Sequence, residues 1–167
     1  DVPFALFYLL DERGQHARLV ANVGFGDEPA RAAPAEIELT LGDATAVWPL
    51  ASVVRGQTQV FEPLDARLGA LPSGRWSTSP RSAIALSLQS PGQRRAHGVL
   101  ICGVSPHRTL DDSYRGFFEL AAAQVATAIR DASVCQEECK RVEALAEIDR
   151  AKTTFFNQVS HELRAPL

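Results

Sequence analysis

The most reactive pairing in this 167-residue chain lies near its end, where His161 is followed directly by Glu162. An imidazole is neutral near pH 7, so one ring nitrogen is free to attack an electrophile. Glu162 is placed to hydrogen-bond the other ring nitrogen or to take up its proton, raising nucleophilicity as a general base does. On a helix turning about 100° per residue, His161 points roughly opposite the face that carries Val159 and Leu163. The apolar face can then be buried while the imidazole stays accessible. Pro166 removes a backbone donor and disfavours helical geometry at Ala165, so the helix is expected to bend just past the histidine. Taken alone, Ser160-His161-Glu162 would describe an exposed helical histidine equally well. The other three histidines, His16, His97 and His107, sit in polar turn contexts and read as ordinary exposed side chains.

The elements that must position this pair fall into two regimes. From residue 2 to about residue 105, short apolar runs are broken by turn residues. Phe4–Leu10 reads as a buried strand, Asp11–Gly14 as a turn, and Ala17–Val23 as the hairpin partner. The stretch holding Pro29 and Pro34 reads as a loop or a short irregular element. Trp48–Gly56 has the signature of a short helix, with Pro49 in its first turn and Gly56 at its C-terminal cap. Gln59–Phe61, Ser82–Leu88 and Gly98–Val104 read as strands, the last two joined by an exposed hairpin loop with Pro91-Gly92. The second regime starts at Leu110-Asp111-Asp112, where either aspartate can cap a helix. No Pro or Gly then interrupts the chain between Phe117 and Arg164, far longer than a usual globular helix. Its first part (Phe117, Phe118, Leu120, Ala121, Val125, Ile129) is apolar enough to pack on a sheet. Beyond it, Cys135, Cys139, Val142, Leu145 and Ile148 form a narrower stripe suited to another helix. Val142, Leu145 and Ile148 are successive steps of three, a discontinuity that locally changes a supercoil and offers a joint for switching.

The context of His161 is what lifts it above a plain surface histidine. Phe155-Phe156-Asn157-Gln158-Val159-Ser160-His161-Glu162-Leu163-Arg164-Ala165-Pro166-Leu167 closely resembles the phosphoacceptor box of sensor histidine kinases. That resemblance implies His161 as the phosphoacceptor for the γ-phosphate of ATP and Glu162 as its proton acceptor. Upstream, Gly98–Pro106 followed by Leu110–Phe118 looks like the closing strand and C-terminal helix of a GAF domain. The segment Ala144–Lys152 is similar to the one that links such domains to kinase boxes. The expected fold is therefore α+β, a GAF-like antiparallel sheet flanked by helices, with a long C-terminal helix continuing as a dimeric coiled coil. Residues 1–131 would be the sensor domain, with its N-terminal helix lying before residue 1. Residues 132–152 would form the signalling helix, and 153–167 would begin the dimerisation and phosphoacceptor domain.

The same resemblance implies partners: a second copy through the C-terminal helix, a kinase ATP-binding domain that supplies ATP and Mg, and a response regulator whose Asp receives the phosphoryl group. No Gly-rich phosphate cradle occurs in the sequence, so the chain by itself is expected to be inactive. Ala165 stands where such kinases commonly carry Thr or Asn to position water for dephosphorylating the regulator, so phosphatase activity is not implied. A sensor-domain ligand is a small molecule of unidentified class, and Phe4, Phe25, Trp48, Phe61 and Trp76 are the candidate lining residues. Aromatic side chains at such positions are more often plain core. No cysteine sits in a bilin-attachment context, no cyclic-nucleotide signature is present, and no histidine lies in an apolar run that would suit haem. The competing expectation is a non-catalytic GAF module for dimerisation or scaffolding, with no ligand.

Bulk properties narrow the classes further. A hydrophobic fraction of 46% and a charged fraction of 22% are those of a soluble globular protein. The net charge of −3, with Arg and acidic residues interspersed, gives no basic field for nucleic acid. No apolar run approaches the roughly 20 residues needed to cross a bilayer, and nothing at the start resembles a signal peptide. The absence of an initiator Met suggests a piece excised from a longer protein. Three cysteines make no disulfide scaffold: Cys102 lies in an apolar run, and Cys135 and Cys139 share one helix face without a nearby His. No metal site is expected from them, and a reducing bacterial cytoplasm fits the odd count.

Overall fold

The computed structural model describes residues 2–26, 31–39, 46–64, 68–69, 71–89 and 95–162; in the last stretch it leaves out the side chains of 137, 149, 151 and 153–162. Six strands form one antiparallel sheet in the order β3-β2-β1-β6-β5-β4. The first hairpin pairs β1 (Ala5–Leu10) with β2 (His16–Val23) across the expected turn. Asp11 builds that turn, its Oδ1 accepting from the Gln15 N–H at 2.7 Å and the His16 N–H at 3.2 Å. His16 is thereby the first residue of a strand rather than part of the turn, 3.6 Å from the Asp11 carboxylate. A register shift between Phe7 and Tyr8 marks a bulge in the pairing with β2.

β3 (Glu36–Glu38) lies in the stretch that reads as a loop. Three residues with a single apolar side chain, Ile37, carry no period. They become a strand because the edge of β2 offers its hydrogen bonds, pairing Ala17 with Ile37. α1 (Ala51–Val54) is one turn long, and Pro49 precedes its N-cap Leu50 instead of occupying the first turn. Gly56 ends it as expected, at φ 95° with its N–H donated to the Val53 carbonyl at 2.8 Å. β4 (Gln59–Phe61), β5 (Ala83–Leu88) and β6 (Gly98–Gly103) complete the sheet where the apolar runs place them. Residues 90–94 of the hairpin loop between β5 and β6 lie outside the described residues.

Strand alternation divides the buried residues between the two sheet faces. One face carries Leu6, Tyr8, Ala83, Ala85, Val99 and Ile101, closed over by Trp48, Leu50, Val53, Leu64, Leu68 and Leu71 in a single core. The alternate residues Ile84, Leu86, Leu88, Leu100 and Cys102 are buried as well. β6 has all six residues buried, as a central strand covered on both faces must. Gly98 is the tightest point of this arrangement. A Cβ there would run into the Tyr8 carbonyl oxygen and meet the Phe7 ring at 3.3 Å. Backbone cannot move aside as a flexible side chain can, so Gly98→Ala is expected to cost about 3 kcal/mol by overpacking. A urea titration of the purified variant measures this as a lower midpoint with an unchanged slope.

The chain forms two compact units, Asp1–Thr127 and Ala128–Leu167. The long helix α2 (Asp112–Glu162) contributes to both. Its start is capped by Asp111, whose Oδ1 accepts from the Tyr114 N–H at 2.7 Å, while Asp112 places a second negative charge in the first turn. Within the first unit, Tyr114, Phe118, Ala122 and Ala126 are buried, an interval of four that keeps one stripe out of water. In the second unit, Val134, Val142, Leu145 and Ile148 are all more than half exposed on the single chain. Among the described residues, no helix is long and apolar enough to cross a membrane.

Candidate functional site

His161 and Glu162 are the last two described residues of α2. Their backbone is helical. Their side chains lie outside the described residues, as do those of Phe155, Phe156 and Val159 and the whole of 163–167 with Ala165 and Pro166.

Among the described residues, the five candidate lining aromatics fall into separate ring pairs. Phe4 is fully buried and packs edge-to-face on Phe25 at 5.2 Å. Trp48, 1% exposed, packs edge-to-face on Phe61 at 5.3 Å and donates its Nε1–H to the Ala32 carbonyl at 2.8 Å. These four belong to the core or lie against it. Trp76 stands apart, half-buried, with its ring 6.3 Å from that of His107. Tyr8 also faces this core, its hydroxyl donating to the Pro34 carbonyl at 2.9 Å, and burial pushes the phenol far above its usual range.

Among the described residues of the first unit lie two clefts of molecular size, and none of the five aromatics lines either. One, of about 590 Å³, runs across the β1–β2 end past Leu10, Asp11, His16, Arg18 and Glu36. The other, of about 470 Å³, is lined by Val60, Glu62 and Thr78, by Arg81 and Ser82 at the start of β5, and by Val104 to Leu110 between β6 and α2. Its basic residues, Arg81, His107 and Arg108, are exposed, whereas Ser105 is 6% exposed. Sequence reading missed this group because its members are scattered over some fifty positions with no spacing that marks them.

Comparison with solved structures follows from this geometry. The GAF domain of a two-component sensor histidine kinase from Bacillus halodurans superposes with a TM-score of 0.54 at 14% identity, covering 80% of this chain and 85% of that one. The fold is that of a GAF domain. The GAF domain of the Acinetobacter phosphoenolpyruvate-protein phosphotransferase matches with a TM-score of 0.52 at 22% identity, covering 80% of this chain and 74% of that one. Residues 122 to 287 of a methyl-accepting chemotaxis protein match with a TM-score of 0.54 at 18% identity, covering 78% and 79%. No protein-family model and no curated relative matches the sequence. The expected α+β GAF-like class is thus the observed one, with six strands and a long C-terminal helix.

The cysteines of this chain separate by environment. Cys102 on β6 is 5% exposed, and burial pushes its thiol up to about 12. Cys135 and Cys139 are exposed and unbridged on α2. Because the thiolate is the reactive species, a disulfide reagent at pH 8 is expected to titrate two thiols in the native protein. The third should appear only on denaturation. Fast titration of all three would contradict the burial of β6. The sign for stability follows: the thiol ionises above its ordinary value of 9.0 when unfolded but near 12 when folded, so this contribution is complete below pH 9 and fades as the pH rises towards 12.

Proposed function

We propose that this chain is the sensory input and relay segment of a two-component sensor histidine kinase, in which His161 accepts the phosphoryl group. The observation that carries the reading is the box from Phe155 to Leu167 on a helix that runs unbroken from Asp112, at the end of a GAF fold, to Glu162. The GAF folds of a sensor kinase and of a chemotaxis protein segment support the sensory part of the reading by analogy of fold. In this scheme a signal at the GAF domain biases the helix pair between states, and any ligand must bind those states with different affinity. A second copy joins through the exposed apolar stripe of α2. ATP and Mg are held by the kinase's ATP-binding domain, and a response-regulator Asp receives the phosphoryl group.

One experiment tests the relay. The chain is incubated with Mg-ATP and a histidine-kinase ATP-binding domain, and the phosphorylated residue is mapped. Acid-labile label on His161 supports the reading; label elsewhere or none overturns it. Sedimentation at high micromolar concentration tests the dimer in the same preparation, where a strict monomer would remove the coiled-coil route. The dense packing of Phe4, Trp48 and their partners favours, for that face of the sheet, the alternative of a scaffold without a ligand. A small-molecule thermal-shift screen separates the two, since a specific stabiliser raises the melting temperature with concentration.

A further inference from the structure

We propose that the cleft between β4, the start of β5 and the loop leading from β6 into α2 binds the phosphate group of a small molecule. The inference stands on this cleft alone and does not depend on the role of His161. Arg81, His107 and Arg108 all line it, with Glu62 the single carboxylate of the lining. Among the described residues, neither arginine has a carboxylate partner at ion-pair distance. A guanidinium fork matches phosphate oxygens in a bidentate manner, and two of them around one concavity are the usual chemistry of oxyanion recognition. Ser82, Ser105, Thr78 and Thr109 add hydroxyl donors to the same lining.

The walls are held in place before any ligand arrives. Arg108 lays its guanidinium over the Tyr114 ring at 4.5 Å, and Tyr114 is itself 2% exposed near the capped start of α2. The Arg108 N–H donates to the Ser105 carbonyl at 3.2 Å, and the His107 N–H lies 3.4 Å from Ser105 Oγ. Ser105 Oγ accepts there, which leaves its own O–H to donate. On the opposite wall, the Arg81 carbonyl accepts from the Leu64 N–H at 3.0 Å and the Ser82 carbonyl from the Val104 N–H at 2.9 Å. The Arg108 side chain, held on the Tyr114 ring, loses less freedom on binding, which favours affinity. The volume of about 470 Å³ exceeds what a bare phosphate fills and falls in the range of small-molecule sites. A phosphomonoester therefore suits the cleft as well as free phosphate.

Calorimetric titration of the whole chain in phosphate-free, low-salt buffer tests this, using inorganic phosphate in one arm and glycerol 3-phosphate in the other. Saturable binding of either is expected, weakened about tenfold by Arg81→Gln and by Arg108→Gln, and strengthened severalfold by Glu62→Gln. Arg55→Gln, at the C-cap of α1 and outside the cleft, should leave binding unchanged. Tighter binding of the ester assigns the site to an organic phosphate; equal or tighter binding of inorganic phosphate assigns it to the free ion. Two results overturn the proposal. One is no saturable heat from either compound well above a millimolar dissociation constant. The other is an equal loss in Arg55→Gln, the mark of diffuse charge attraction. Both arginines are exposed, so their variants should fold, and circular dichroism of each confirms that loss of binding is not loss of structure.

Discussion

Replacing His161 with glutamine is expected to lower phosphoryl transfer from ATP to this chain by about a thousandfold or more, because the variant lacks the attacking atom. The glutamine amide nitrogen has its lone pair delocalised into the carbonyl and is no nucleophile. Its side chain is of similar length, and its helix propensity is as good as that of histidine or better, so α2 should persist. Labelling by a supplied ATP-binding domain is the measurement, with helicity followed in parallel by circular dichroism. Equal labelling of wild type and variant would remove His161 from the mechanism altogether. Labelling lost together with helicity would point instead to a structural role for the residue.

Trp48→Ala is expected to be the most damaging substitution in the sensor unit, lowering stability by about 4 kcal/mol. The ring is 1% exposed, packs edge-to-face on Phe61, and carries a buried hydrogen bond to the Ala32 carbonyl. Truncation leaves a cavity among Leu50, Val53 and their neighbours and strips that carbonyl of its donor. For a unit of this size the loss corresponds to a melting temperature lower by roughly 15 °C. Trp48→Phe separates the two contributions: it keeps most of the volume and loses only the N–H, so it should cost about 2 kcal/mol. A thermal melt of both variants reads the ordering directly. A Trp48→Ala protein as stable as wild type would mean that the segment before α1 does not close the core.

These two residues also mark what was legible in the sequence. The proposal for His161 rests on its sequence neighbours, since a local motif on one helix needs no tertiary contact to be read. Phe4, Phe25, Trp48, Phe61 and Trp76 read in the sequence as a candidate pocket lining or, more often for such residues, as plain core, because periodicity cannot tell a cavity lining from a filled core. That depends on whether the segments before α1 and after β4 close over the sheet. Trp48 in fact spends its one polar atom on Ala32, and its ring on Phe61.

Read along the chain, the residues alone specify the two regimes, the hairpin of β1 and β2, the strands β5 and β6, the capped start of α2 and its uninterrupted length. Each follows from local signals: period-two or unbroken apolar runs, turn residues, an aspartate cap, and the absence of Pro and Gly. That Glu36–Glu38 is a strand depends on the fold, since its hydrogen bonds belong to the edge of β2. The fold alone decided that β6 is buried on both faces, which makes Gly98 obligatory where the Tyr8 carbonyl passes. It alone brought Arg81 and Arg108 to one cleft. Residues far apart in the chain meet only when the sheet order places β5 beside β6, and no pattern along the sequence encodes that meeting.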